Sequence, residues 1–314
     1  MSVLEKFKSI NVPELNYAFE NSVSFSQYQT YNTCPYQWSL KYIKDLVPHQ
    51  ANIFTIFGNG IHETIQHYLD LLYNKSIEEA DELDLEEYFT ERFKINYEVE
   101  FEKTKTQFTD AKEMGEFFDD AVAILNWFKI YRQHHFATHK FKLLGTELPL
   151  LSKIRSSLWF KGYLDIVLYD ETEDVIHIYD IKTSTWGWSA KAKKDDSKIA
   201  QLLLYKEYLS KQYGIDPDKI EVQFFITRRK LYENSQYAIP RIQVFRPASG
   251  KIKRKKTIDK FNIFLQECFG KDGKPIDKEY KKKPSIKNCK FCFFDDKPTI
   301  CDKNKTKDDK IVIS

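Results

Sequence analysis

The sequence predicts an α/β fold with a helical part ahead of the core and a cysteine-rich segment after it. Three observations predict it. Apolar residues recur at helical spacing up to about residue 140, then at strand spacing, then at both in alternation. Hydrophobic residues make up 42% of the 314 and aromatics 15%, enough apolar mass for a substantial core. No apolar run approaches the ~20 residues of a membrane span, and residues 1–11 lack the apolar stretch of a signal peptide. The expected protein is cytoplasmic, without a membrane partner. Five cysteines are too few for a secreted disulfide scaffold. We expect one domain over 1–314, with 20–140 mainly helical, 141–250 an α/β core, and 251–314 a basic part carrying the cysteines.

The elements follow in order. Ser24 to Tyr42 reads as a capped helix that Pro35 breaks or kinks. Ile53–Phe57 precedes Gly58-Asn59-Gly60, and a helix is expected from about Ile61 to Tyr73, with Ile61, Ile65, Tyr68, Leu69 and Leu72 on one face. Two longer helices span about Leu83–Lys105 and Thr109–His135, and the acidic Glu78–Glu87 reads as a solvated helix start. Strands are expected at Lys142–Leu150, Ser157–Tyr169 and Val175–Thr183, the last two joined by the turn Glu171–Asp174. A helix at about Ser197–Tyr213 follows, then strands at Ile220–Thr227 and near Tyr237–Phe245, and a helix over about Thr257–Phe269.

Chemistry concentrates in the hairpin. If it closes symmetrically about Thr172-Glu173, Asp170 faces Val175 and, in the same register, Asp165 faces Asp180. Facing carboxylates repel unless a cation or a proton lies between them. Lys182, two residues beyond Asp180, shares its face. Two carboxylates and a lysine on one sheet face suit metal-assisted phosphodiester hydrolysis with Mg²⁺ or Mn²⁺. A surface hairpin with exposed acids is the plainer alternative, and the neighbouring Ile176, Ile178 and Ile181 argue for a buried strand instead. His62, at the expected helix start, would be held neutral there and could ligate metal, although a capping or core histidine would look the same. Glu147 could be an additional acid of the site or an acid at the sheet edge. Gln201 and Tyr205, four apart on one helix face, offer polar tips to a nucleotide, or form an ordinary amphipathic face.

These motifs in this order, His62, Gly162-x-x-Asp165, Asp180-Ile181-Lys182 and Gln201-x-x-x-Tyr205, resemble the PD-(D/E)xK nuclease superfamily, and most of all its RecB-like branch. Ser24-Phe25-Ser26-Gln27-Tyr28 with Cys34-Pro35-Tyr36 is similar to that branch's opening motif, so the resemblance runs from about Ser24 to Cys301. It implies a restriction-endonuclease-like core, a mixed sheet flanked by helices. By position, His62, Asp165, Asp180 and the Ile181 carbonyl would hold the divalent metal, with Ile181 standing where the family carries an acid. Lys182 would be the catalytic lysine, and Gln201 and Tyr205 would contact DNA near the active site.

Cys289-x-x-Cys292 and Cys301, with the distant Cys34, make four thiols that suit Zn²⁺ or a [4Fe–4S] cluster. The resembling members of the branch hold a [4Fe–4S] cluster with one N-terminal and three C-terminal cysteines, so the resemblance implies the cluster. Cys268 reads as a buried core thiol.

Charge is uneven. From Gly250 onward 19 basic residues face 10 acidic ones, while the remainder carries 30 against 36, and a basic end suits a polyanion or is simply solvated. Trp186 and Trp188, with Lys191, Lys193 and Lys194 behind them, could stack and guide a single strand, or pack on the core. Arg228, Arg229, Lys230 and Lys251–Lys256 are candidate phosphate contacts. The expected protein is a metal-dependent DNA nuclease, an exonuclease on single strands or DNA ends in recombination, repair or replication. A catalytically silent DNA-binding subunit, or a nuclease for RNA or branched DNA, would share these features. The chain has no P-loop, so any helicase would be a separate partner.

Overall fold

The structure is a computed structural model and describes residues 1–10, 21–155, 157–232 and 237–302. Lys303, Lys305, Lys307 and Lys310 of the basic end lie outside the described residues. In chain order the elements are α1 (Val3–Lys8), β1 (Ser22–Val23), α2 (Phe25–Thr33), α3 (Pro35–Tyr42), α4 (Ile53–Asn74), α5 (Ile77–Glu82), α6 (Leu85–Thr104), α7 (Ala111–Tyr131), β2 (Phe141–Arg155), β3 (Leu158–Asp170), β4 (Val175–Ser184), α8 (Ala190–Lys193), α9 (Asp196–Tyr213), β5 (Ile220–Arg228), β6 (Ile242–Phe245), α10 (Lys251–Cys268) and α11 (Ile286–Cys289). The strands form a mixed sheet in the order β1-β3-β4-β5-β6, with β2 also pairing β3. None of the described helices is long and apolar enough to cross a membrane.

The chain divides into two compact units. The first comprises 1–14, 49–150 and 163–254. In it, β3 and β4 form an antiparallel hairpin whose register runs from Asp170↔Val175 to Ile166↔Tyr179, as the symmetric turn predicts. β4 runs parallel to β5, with Asp180 beside Phe224 and Lys182 beside Ile226, and β6 closes antiparallel on β5. Bonded on both edges, β4 is a central strand, which explains its near-continuous apolar run.

The expected helix start at Ile61 is corrected: α4 begins eight residues earlier, capped by the Asn52 side chain, and runs unbroken through Gly58 and Gly60. Packing overrides the local cost of glycine here. A Cβ on Gly60 would meet the Phe89 ring of α6 at 2.8 Å, and one on Gly58 would touch Thr183 at 3.4 Å. The buried face of α4 adds Ile53, Ile56 and Phe57 to the expected stripe and packs with Phe89, Phe117, Ile124 and Phe128 of α6 and α7. Each such side chain, fully buried, contributes about 1.5–3 kcal/mol.

The second unit comprises 15–48, 151–162 and 255–314. Its core is aromatic: fully buried Trp38 is ringed by Tyr31, Phe264, Phe269 and Tyr280, and Tyr28 packs edge-on against Phe261. Ser24 caps α2 through Gln27, and the predicted break falls at Cys34, where the backbone turns extended and Pro35 opens α3. β1 lies parallel to the start of β3, pairing Ser22 with Trp159.

Candidate active site

Five elements contribute residues of the first unit to the site. α4 supplies His62 and, one turn on, Gln66; β2 supplies Glu147; the hairpin supplies Asp165, Asp180 and Lys182; α9 supplies Gln201 and Tyr205. One step past the paired register, the Asp165 carboxylate accepts from the Ile181 N–H at 2.6 Å. Ligand atoms of His62, Glu147 and Asp165 all lie within 4.8 Å of one another. His62 Nδ1 is 3.6 Å from Asp165 Oδ2.

Asp180 sits outside that trio, bound instead to Lys182, whose Nζ is 2.8 Å from Oδ2. The Asp180 side chain is 2% exposed, and neither oxygen has a hydrogen bond of ordinary geometry beyond that ion pair. A buried carboxylate so poorly satisfied is costly in the absence of a further cation. The electrostatics agree. Burial, the Asp180 charge and the Glu147 charge push the Asp165 carboxyl well above its usual range. Burial also raises Asp180, against the pull of Lys182. Burial works against the Lys182 charge, but Asp180 and Asp165 hold its ammonium above the ordinary lysine value.

His62 is the second correction. It lies in the middle of α4, so no helix terminus keeps its ring neutral. Burial and the nearby Lys182 charge do, bringing it down to about 3 despite the Ile181 carbonyl that accepts from the ring. The expected ligand form is present for a different reason. The donor set, an imidazole with several carboxylate oxygens, suits Mg²⁺ or Mn²⁺.

Two features were not foreseen. Gln66 donates from Nε2 to Glu147 Oε1 at 2.7 Å and to the Asp165 carbonyl at 3.0 Å, tying two acids to α4. Its signal was its place four residues after His62 on one helix face. Glu147 has a left-handed backbone (φ 46°), which interrupts the pleat of β2 and re-aims the carboxylate. Gln201 Nε2 donates to the Tyr205 hydroxyl at 3.1 Å, and burial followed by the Asp180, Asp165 and Glu147 charges raises that phenol.

The expected phosphate contacts divide. Arg229 is corrected to a structural residue: it is 7% exposed, pairs with Asp120 at 2.9 Å and lies over the Phe117 ring at 3.3 Å. Lys230 also pairs with Asp120. In α10, Lys253, Arg254 and Lys255 pair with Asp196, Glu207 and Asp259. Arg228 instead lines a cleft with Trp186 and Trp188. Trp186 is exposed, whereas Trp188 packs against Phe224, with ring centres 4.6 Å apart.

In the second unit, Cys34, Cys289, Cys292 and Cys301 line one cavity, and all four are free thiols. Burial, then Cys34 and Cys289, raise the Cys292 thiol, and burial with the same neighbours raises Cys301. Four thiols gathered from both ends of the chain fit a four-thiolate centre. Cys268 is buried, as expected, with Tyr280 as its partner.

Residues 22–301 match the family profile described as PD-(D/E)XK nuclease superfamily. Among solved structures, a "Putative exonuclease" from Eubacterium rectale aligns over 88% of this chain and 97% of its own, at 13% identity and a TM-score of 0.47. No curated protein matches the sequence.

Proposed function

The chain belongs to the PD-(D/E)XK nuclease superfamily, and from that premise we propose that it is a divalent-metal-dependent DNA nuclease of the RecB-like type, an exonuclease on single strands or DNA ends. The observation that carries this reading is the buried Asp180, otherwise unsatisfied, ion-paired to Lys182 beside the His62–Glu147–Asp165 trio.

In this reading His62, Asp165, Asp180 and the Ile181 carbonyl hold the metal, with Glu147 as an additional acid. Mg²⁺ or Mn²⁺ bound there supplies a Lewis acid for the phosphodiester and an acidified water. Gln66 keeps Glu147 and the Asp165 segment in place, and the Ile181 N–H orients the Asp165 carboxylate. Lys182, kept protonated by Asp180 and Asp165, offers its ammonium to the attacking water or to the charge that develops on the phosphate. Tyr205, its phenol raised by burial and the acids, stays protonated and offers an O–H beside Gln201 to the DNA backbone. Recombination, repair or replication of DNA would use such an enzyme, with any helicase a separate partner.

End-labelled single- and double-stranded DNA, with RNA of the same sequence, tests the reading. Mg²⁺ or Mn²⁺ should yield short products progressively from one DNA end, faster on single strands, and a chelator should stop it. Binding without cleavage under either ion would make the chain a silent DNA-binding subunit, and cleavage of RNA alone would reassign the substrate.

For the cysteine cavity we propose a [4Fe–4S] cluster on Cys34, Cys289, Cys292 and Cys301, supported by their convergence and by the RecB-like cysteine pattern. Anaerobically purified protein should carry iron and sulfide and absorb broadly near ~400 nm, and Cys34→Ala should lose both. Colourless protein with stoichiometric zinc would replace the cluster by zinc.

A further inference from the structure

β4 does not end at the catalytic lysine. Thr183 and Ser184 continue it into a cleft of about 710 Å³ whose walls include Trp186, Trp188, Tyr232, Arg228 and Lys198. Trp186 is 48% and Tyr232 62% exposed, yet their rings stack on each other, 4.9 Å between centres and 18° from parallel. Large aromatics this open are not held there by core packing. Trp188 shows the contrast, since it packs on Phe224 and carries Lys198 over its ring at 4.8 Å.

The backbone beside the platform is hydrogen-bonded. The Arg229 and Lys230 N–H groups donate to the Ser184 and Thr185 carbonyls, so the chain on either side of the cleft stays paired past the end of the strands. Ser184 Oγ closes the turn on Gly187 from both sides. Gln243 clamps Trp188 by bonding its N–H and its carbonyl. Gly187 is required by its φ of +84°, and a Cβ there would also displace the Arg228 side chain, whose Nε lies at 2.6 Å. Arg228 donates from Nη1 to the Pro240 carbonyl, its enclosed Nε has no partner, and among the described residues no carboxylate neutralises it. An exposed aromatic stack in one cleft with Arg228 and Lys198 is the chemistry that binds unpaired bases and their phosphates.

We propose that this cleft is a base-stacking channel for an unpaired DNA strand running to or from the catalytic centre, with the Trp186–Tyr232 stack taking a base and Arg228 and Lys198 facing the backbone. Trp186 is four residues from Lys182, no more than about 14 Å along the chain, so the stacked base lies close to the bond being cut. The proposal deepens the nuclease reading by naming residues that would underlie its single-strand preference, and it rests on that reading only for the role of the strand.

Fluorescence anisotropy of labelled oligo(dT) of about 12 nucleotides, in chelator so that nothing is cut, tests the channel separately from catalysis. The Trp186→Ala/Tyr232→Ala protein should bind oligo(dT) about 5- to 100-fold more weakly than wild type and a blunt duplex of equal length within a factor of about two, while Trp186→Phe keeps most of the affinity. An unchanged oligo(dT) affinity, or an equal loss on duplex, overturns the proposal. Arg228→Gln should reduce the salt dependence of oligo(dT) binding by about 0.7 in log–log slope; an unchanged slope removes the phosphate half of the proposal. Wild type that binds oligo(dT) but never cleaves it would sink the nuclease reading and leave the channel standing. Wild type that cleaves, with the double variant binding as well as wild type, would do the reverse.

Discussion

Replacing Asp165 by asparagine should make the metal-free protein more stable and leave it deaf to Mg²⁺ or Mn²⁺. In the wild type, Asp165 lies beside the buried Asp180 and the exposed Glu147, and burial together with their charges raises its carboxyl well above the ordinary value. A carboxyl with a raised folded-state pKa stabilises the fold below the unfolded value, near ~3.9, and that contribution is lost as pH rises through the folded value. At neutral pH Asp165 and Asp180 are therefore working against the fold. Asparagine removes one charge and still presents an oxygen to the Ile181 N–H. The expected gain is about 0.5–2 kcal/mol, a few degrees in melting temperature. It should be largest near pH 8 and shrink toward pH 4. His177, brought down to about 4, destabilises the fold as pH falls below the ordinary histidine value in both proteins and cancels in the difference. His62, brought down to about 3 and 3.6 Å from Asp165, instead loses a neighbouring carboxylate in the variant and so adds to the shrinking of the gain at low pH. Metal reverses the ranking: an ion at 100 times its dissociation constant stabilises wild type by about 2.7 kcal/mol and the variant by far less. Melting curves across pH, with chelator and with metal, measure both halves. A variant that still gains stability from Mn²⁺ as wild type does would remove Asp165 from the metal site.

What could be read from the sequence followed from local chemistry. The hairpin register was legible because the turn is short and strand side chains alternate strictly, so Asp170↔Val175 set the rest. The break at Cys34 was legible because proline cannot continue a helix. Gly58 and Gly60 misled for the opposite reason: their use is tertiary, against Thr183 and Phe89, and local propensity counts them only as a cost. Arg228 and Arg229 look alike in sequence. Strand alternation sends them apart, and Asp120, which claims Arg229, is 109 residues away. Glu147 was legible only as a possible acid, because its left-handed backbone is invisible in composition or spacing. Gln66 carried a helical-face signal that any surface glutamine would share.

Removing the Lys182 amine should separate cleavage from metal binding. Among the described residues Lys182 is the cation paired with Asp180, and both acids hold its charge in place. A lysine whose folded pKa is raised contributes its stability throughout the range below its ordinary value, so at neutral pH the ion pair is fully formed. In Lys182→Met, Asp180 stays buried and loses that partner. A fully enclosed pair broken this way costs about 3–5 kcal/mol, and the third of the lysine that faces solvent reduces this to about 1–3. The loss should diminish as pH falls, because Asp180, already raised by burial, then takes up a proton instead. Divalent metal should restore much of it, since a bound cation answers the same charge and the ammonium no longer competes. DNA cleavage should nonetheless fall by about 10²–10⁴-fold in kcat with KM little changed, the pattern of a group that acts on the reacting phosphate and not on substrate binding. Lys182→Arg should not recover the rate, because a planar guanidinium cannot place a compact ammonium at the same point. Single-turnover cleavage of end-labelled DNA, with melting curves in Mn²⁺, reads both effects. Metal-restored folding together with wild-type cleavage would show that the ammonium serves only to neutralise Asp180, and the catalytic role would have to pass to another residue.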